Sequence, residues 1–248
     1  KAEVNCIAIT DHDTLDGIKP TQIEGTKHEI EVLAGIELST EIHGKDVHML
    51  GYLIQLDNEK FNERLNEMQN SRQLRMKEMI AKLRDLGIQD IEFEEVSVLA
   101  QSKALGRPHL AQVLMQKGHV SHIKAAFDKY LADDAPAYVP KFKISPYEGI
   151  EMIKAAGGVA VLAHPMITGV DELIPSFVEH GLGGIEAFYP NNSQSVVDHY
   201  KGIAKKHNII ATGGSDDHGK AKTNTYLGKQ KVPYSVVEEL YAAVASKR

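Results

Sequence analysis

The chain's 248 residues are 42% hydrophobic and 25% charged, with 34 acidic against 28 basic side chains and a formal net charge of -6, the make-up of an ordinary globular protein with room for a large core. That acidic balance excludes a general duplex-binding protein, whose affinity comes from a basic surface, and no apolar run approaches the roughly 18 residues of a membrane span, so neither duplex DNA nor a membrane is an expected partner. The lone cysteine, Cys6, has no partner for an intramolecular disulfide, and no signal-peptide pattern opens the chain, which together lead us to expect a reducing, cytoplasmic setting.

Short apolar runs at 4–10, 31–38, 47–54, 159–163, 184–189 and 208–212 read as strands and alternate with segments of helical period, the pattern of an α/β fold. The first run ends in "TDHDTLDG", three ionisable residues where a buried strand stops. Next, "GIELSTEIHGKDVHMLGY" reads as two strands joined by a turn. A turn over 43–46 pairs Ile42 with Val47 and sets Glu41 opposite His48. Glu37 is then farther off, and a bulge or bend is needed to bring Glu37 and His48 to one ion.

From about 57 to 135 the strand signals fade. Phe61, Leu65, Met68, Met76, Met79, Ile80, Leu83 and Leu86 recur mostly at three- and four-residue intervals before Gly87, which predicts a long amphipathic helix. Its arginines and lysines from Arg64 to Arg84 read as a solvated face that can also guide an anionic substrate. "GRPHLAQVLMQKGHVSHIKAAFDKYLADD" predicts two shorter helices with a turn near Gly118. The organisation expected is therefore an α/β body over 1–56 and 136–248, resuming near "AYVPKFKISP", with a helical insertion over 57–135. Beyond it, "SPYEGIEMIKAAGG" predicts a helix with Ser145 as cap, Pro146 at its first position and Gly157 at its end.

Polar clusters recur where later strands end. "VAVLAHP" finishes on His164, and "NIIATGGSDDHG" on Asp216, Asp217 and His218. In α/β folds the carboxyl edge of a parallel sheet holds the active site, so the clusters are expected to converge in one cleft. Imidazoles and carboxylates without cysteines suit Zn, Mn or Fe, ions that can lower the pKa of a bound water to about 7. A single histidine at a strand end is most often a hydrogen-bonded structural residue. Three such clusters, each after an apolar run, are hard to explain by chance.

In this order, "AITDHDT", "AGIELST", "VHMLGY", "GRPHLA", "GGVAVLAHP" and "TGGSDDHG" resemble the PHP phosphoesterases, the polymerase and histidinol phosphatase superfamily. They are most similar to its branch of bacterial 3',5'-nucleoside bisphosphate phosphatases and 5'-to-3' exoribonucleases. The resemblance implies a distorted (β/α)7 barrel under a helical cap. It implies two or three divalent metal ions (Mn, Zn or Fe) and hydrolysis of small nucleotides or short RNA 5' ends by metal-activated water. By motif, Glu37 bridges two ions, His48 and His164 complete one site, Asp216 belongs to the next, and His12 and His218 bind a third ion. Arg107 and His109 contact substrate phosphate, and Asp11, Asp13 and Asp217 orient ligands. The other readings are a surface ion pair for Arg107 and a helix-start residue after Pro108 for His109. The remaining histidines, His28, His43, His119, His122, His180, His199 and His207, are expected at the surface or in turns. No residue is singled out as a general acid or base.

Members of that family open with a strand ending in a His-x-His pair, followed by an Asp. This chain starts at Lys1, past that point, so the first strand of the fold is expected to be missing, and two of the three metal sites incomplete. A histidinol-phosphatase-like enzyme and a catalytically silent metal-binding PHP module are the alternatives.

Overall fold

The computed structural model describes residues 3–100, 105–140, 142–219 and 226–246; Lys141, within the stretch where the body is expected to resume, lies outside them. The chain divides into two compact units, 1–61 with 143–248 (the sheet unit) and 62–142 (the helical unit).

The sheet unit is α/β, and its described residues form six strands at the predicted places: β1 Cys6–Ile9, β2 Glu31–Ile42, β3 Lys45–Tyr52, β4 Val159–Leu162, β5 Gly184–Phe188 and β6 Ile210–Gly213. They form one mixed sheet in sequence order. β1 and β2 are parallel, as are β4, β5 and β6, while the β2–β3 hairpin and the β3–β4 pair run antiparallel. All four residues of β4 are buried, the continuous apolar run of a strand covered on both faces. Between strands lie α1 Ile18–Lys27, α6 Pro146–Ala155 and α7 Gln194–His207, and α8 Ser235–Ala245 follows β6. α6 starts as predicted. Ser145 Oγ accepts from the Glu148 N–H, the Glu148 carboxylate accepts from the Ser145 N–H at 2.8 Å, and Gly157 ends the helix at φ +76°, a capping box and a left-handed stop.

The hairpin register differs from the expected one. Its turn has two residues, not four, because His43 (φ 51°) and Gly44 (φ 78°) both take left-handed backbone, the geometry that matches strand twist in the tightest hairpins. Ile42 therefore pairs with Lys45, Ser39 with His48 and Glu37 with Leu50. His48 becomes a same-face diagonal neighbour of Glu37, and no bulge is required.

The helical unit is carried mainly by the long α2, Glu59–Asp85. Met76, Met79, Ile80 and Leu83 are buried with Ile91, Leu110, Leu114 and Leu131. Leu86 departs from the expected stripe at 46% exposure, because it lies past the helix end, next to Gly87 at φ +90°. α4 Arg107–Gln116 and α5 Ile123–Ala126, the latter continued by a π-turn over Phe127–Leu131, are the two predicted short helices, and α3 Phe93–Ala100 is an unpredicted one. Arg75 corrects the reading of a uniformly solvated basic face, being only 8% exposed.

Candidate metal centre

Glu37 organises the site. It stands in β2 at 6% exposure, and its Oε1 lies 2.7 Å from His48 Nδ1 and 3.2 Å from His164 Nε2. Its Oε2 is 3.8 Å from His12 Nε2. Each imidazole is delivered by a different local device. His48 comes from the hairpin diagonal. His12 extends the β1–β2 pairing beyond Ile9 through a bridge to Glu37, in which the Glu37 N–H donates to Asp11 O and the Asp13 N–H donates to Glu37 O. His164 follows β4 at φ 28°, ψ 56°, a backbone conformation that non-glycine residues adopt only when their surroundings hold them there. Asp13 (φ 51°) and Asp216 (φ 43°) are also left-handed, so each of the three polar clusters contains a residue in this uncommon state.

Ring centroids step from His12 to His48 at 5.0 Å and from His48 to His164 at 5.1 Å, and His218 lies 6.0 Å from His12. Among the described residues, His12, Glu37 and His48 form a set whose ligand atoms all lie within 4.8 Å of one another. Asp216 enters from the end of β6. Its Oδ2 accepts from Tyr189 Oη at 2.8 Å, and its carbonyl accepts from His218 Nδ1 at 2.9 Å. The fully buried Asp13 accepts the Ser39 N–H at 2.8 Å and ties the first cluster to β2. Asp217 accepts the backbone N–H groups of Gly219, Tyr226 and Leu227. His12, Glu37, His164, Asp216 and His218 all line one cavity of about 880 Å³ in the sheet unit.

Two further residues belong to this site. Glu186, in β5, is 4% exposed, and its Oε2 accepts the His164 N–H at 2.9 Å. Burial pushes its carboxyl up to about 7, the His164 N–H opposing and the charges of Glu37 and Asp216 adding. Tyr189 packs its ring 6.0 Å from His164 while holding Asp216. The signal for Glu186 was an acid inside the otherwise apolar "GGIEAF".

The electrostatics fit a cation. Burial opposes ionisation of Glu37, yet hydrogen bonds from His164 and His48, with the nearby His12 charge, hold its carboxyl well below the ordinary carboxylate range. Burial likewise opposes protonation of His164, and the Glu37 hydrogen bond and charge outweigh it, raising its pKa. His164 Nδ1 is a buried ring nitrogen with no hydrogen-bond partner among the described residues. Imidazole nitrogens converging on one buried carboxylate, with further carboxylates behind them and no thiolate, make a donor set for a borderline divalent ion.

Arg107 and His109 lie in the helical unit. Arg107 donates to Leu131 O at 2.9 Å and to Asp133 Oδ1 at 2.7 Å, so it is in an ion pair. His109 Nδ1 accepts the Gly106 N–H at 3.1 Å, which makes it a capping residue of α4. Because a backbone N–H can only donate, the neutral ring must carry its proton on Nε2. Burial keeps His109 toward that neutral form.

No family model matches the chain. It is 32% identical over 220 residues to the 5'-3' exoribonuclease of Haemophilus influenzae, covering 87% of this chain and 80% of that one. It is 28% identical over 227 residues to the 3',5'-nucleoside bisphosphate phosphatase of Chromobacterium violaceum, covering 90% and 80%. A structure from Bifidobacterium adolescentis described as a metal-dependent phosphoesterase superposes with a TM-score of 0.82 at 29% identity, covering 97% of this chain and 86% of that one. With a histidine and carboxylate cluster of this kind at its sheet edge, the chain belongs to the PHP family of phosphoesterases and is a metal-dependent hydrolase.

Proposed function

We propose that the protein hydrolyses phosphate esters of small nucleotides, a 3',5'-nucleoside bisphosphate or the 5' end of a short RNA. The activities named for the Haemophilus influenzae and Chromobacterium violaceum relatives support this reading. The observation that carries it is the gathering of His12, His48 and His164 on the single buried carboxylate of Glu37. In this reading Glu37, His48 and His164 hold one ion, Asp216 serves the neighbouring position, and His12 and His218 serve a third, giving two or three ions of Mn, Zn or Fe. The finer form proposed for the sheet unit is a distorted (β/α)7 barrel, supported by its outer strands β1 and β6, which line the same cavity. In the domain reading, 1–56 and 136–248 make that barrel and 57–135 a cap.

Bound divalent ions supply Lewis acidity and water activation at neutral pH. The chain's own residues supply position. Glu186 fixes the His164 backbone, Tyr189 orients Asp216, and the bridge between His12 and Glu37 locks the first loop against β2. Arg107 offers a fork that can grip phosphate oxygens in pairs, and His109 offers a single Nε2–H donor. The test is phosphate release from adenosine 3',5'-bisphosphate by the purified chain supplied with Mn or Zn. Metal-dependent release supports the reading, and no release from this ester or from a 5'-phosphorylated RNA oligomer overturns it.

A further inference from the structure

The loop after β5 reaches across to the loop after β6 at two points. Residues 189–192 form a turn in which the Asn192 N–H donates to Tyr189 O at 3.1 Å. Pro190 holds its second position and Asn191, at φ 65°, its third, the residues a type II turn asks for. Two side chains of this one turn grip the next loop. Tyr189 Oη donates to Asp216 Oδ2, and Asn191 Nδ2 donates to Tyr226 Oη, both at 2.8 Å. Tyr226 is tied back toward the metal centre through Asp217. Asp217 Oδ2 accepts the Tyr226 N–H at 3.1 Å and the Leu227 N–H at 3.2 Å, while its Oδ1 accepts the Gly219 N–H at 2.8 Å, just past His218. Asp216 itself has φ 43°, and a non-glycine residue keeps such a backbone only where its surroundings over-determine it. Tyr189 supplies one restraint on that loop, and the Asn191–Tyr226 hydrogen bond supplies a second.

We propose that Asn191 and Tyr226 are positioning residues of the metal centre, whose hydrogen bond holds the loop of Asp216 and His218 in its metal-binding form. The proposal rests on the reading of Asp216 and His218 as metal ligands. Asn191 and Tyr226 act on them at one remove, through the Asp217 carboxylate and the loop backbone. The turn explains the choice of residue at 191. Its third position calls for a side chain that tolerates left-handed backbone, and the grip on Tyr226 calls for a donor. Asparagine meets both demands, whereas glycine meets only the first. A partner in direct contact with a metal ligand typically contributes about 10- to 100-fold in metal affinity, so a bond one residue further out should contribute about three- to tenfold.

The test measures Mn and Zn affinity of the full chain by competition with a chelator, with circular dichroism and thermal unfolding of each variant alongside. Tyr226→Phe keeps the ring and removes the acceptor, and Asn191→Gly keeps the left-handed backbone and removes the donor. Both should remain folded and bind metal about three- to tenfold more weakly. Asn191→Asp should keep affinity near that of the parent, because a carboxylate there can accept from the Tyr226 O–H. In the Tyr226→Phe background the same substitution brings the same charge with no hydroxyl to meet it, so the double variant should bind as weakly as Tyr226→Phe alone. Parent affinity in either Tyr226→Phe or Asn191→Gly overturns the proposal, and so does an Asn191→Asp rescue that survives in the Tyr226→Phe background. Asp216→Asn tests the underlying reading separately. If it leaves affinity unchanged, the ligand reading falls and the proposal with it; if it weakens affinity and the two single variants do not, the proposal falls alone.

Discussion

The two units bury charge of opposite sign. Among the described residues, the buried Asp, Glu, Lys and Arg side chains of the sheet unit are acids, Asp13, Glu37 and Glu186, whereas that of the helical unit is Arg75. The acids come with imidazoles whose nitrogens lie close to Glu37, and such a set is stable when a cation joins it. The arginine comes with a second guanidinium and a shared aromatic ring.

The contrast is broken most severely by Glu37→Gln, which keeps the shape of the side chain and removes its charge. Loss of a partner that merely orients a metal ligand costs about 10- to 100-fold in affinity or activity. Loss of the carboxylate shared by the imidazoles should exceed that range in both, measured as metal content and turnover of one preparation. Glu186→Gln should fall within it. The amide oxygen can still accept the His164 N–H, so the variant should fold and bind metal more weakly. Metal affinity by competition with a chelator checks this, and wild-type affinity would reduce Glu186 to a packing residue.

On the other side, Arg107→Ala should leave metal content intact and lower kcat/KM for adenosine 3',5'-bisphosphate by about tenfold or more, since a truncated charge-assisted contact costs about 2 to 5 kcal/mol. A monophosphate ester assayed alongside should suffer less. Wild-type kinetics on both esters would leave Arg107 its ion pair to Asp133 and no role at the substrate. The smallest effect serves as a control. Ser145→Ala removes the α6 cap at a cost of about 1 kcal/mol; thermal unfolding should shift by a few degrees, with kcat/KM unchanged.

Much of this was legible in the sequence because the relevant signals are local. Each strand is a short apolar run with punctuation at both ends, so all six were visible, and the clusters after β1, β4 and β6 announced themselves by following such runs. What was not legible depended on geometry or on conflicting signals. The hairpin register turned on whether His43 and Gly44 alone could make the turn, which only their backbone dihedrals decide. Glu186 was hidden by its apolar neighbours, whose strand signal swamped one acid. Arg75 lies seven residues after Met68 and four before Met79, on the buried stripe of α2. Periodicity put it inside and charge argued for water, and the fold followed periodicity. The grouping of His12 with Glu37 and His48 depends on a long-range bridge that no spacing rule encodes.

The most direct test of the metal centre is elemental analysis of the purified chain and of His164→Ala, each checked for folding by circular dichroism and equilibrated with Mn and Zn. More than one divalent ion per chain, with a clear fall in the variant, is the result expected when His164, His48 and Glu37 hold an ion together. An unchanged metal content in a folded His164→Ala chain, or no bound metal in the parent, would contradict it.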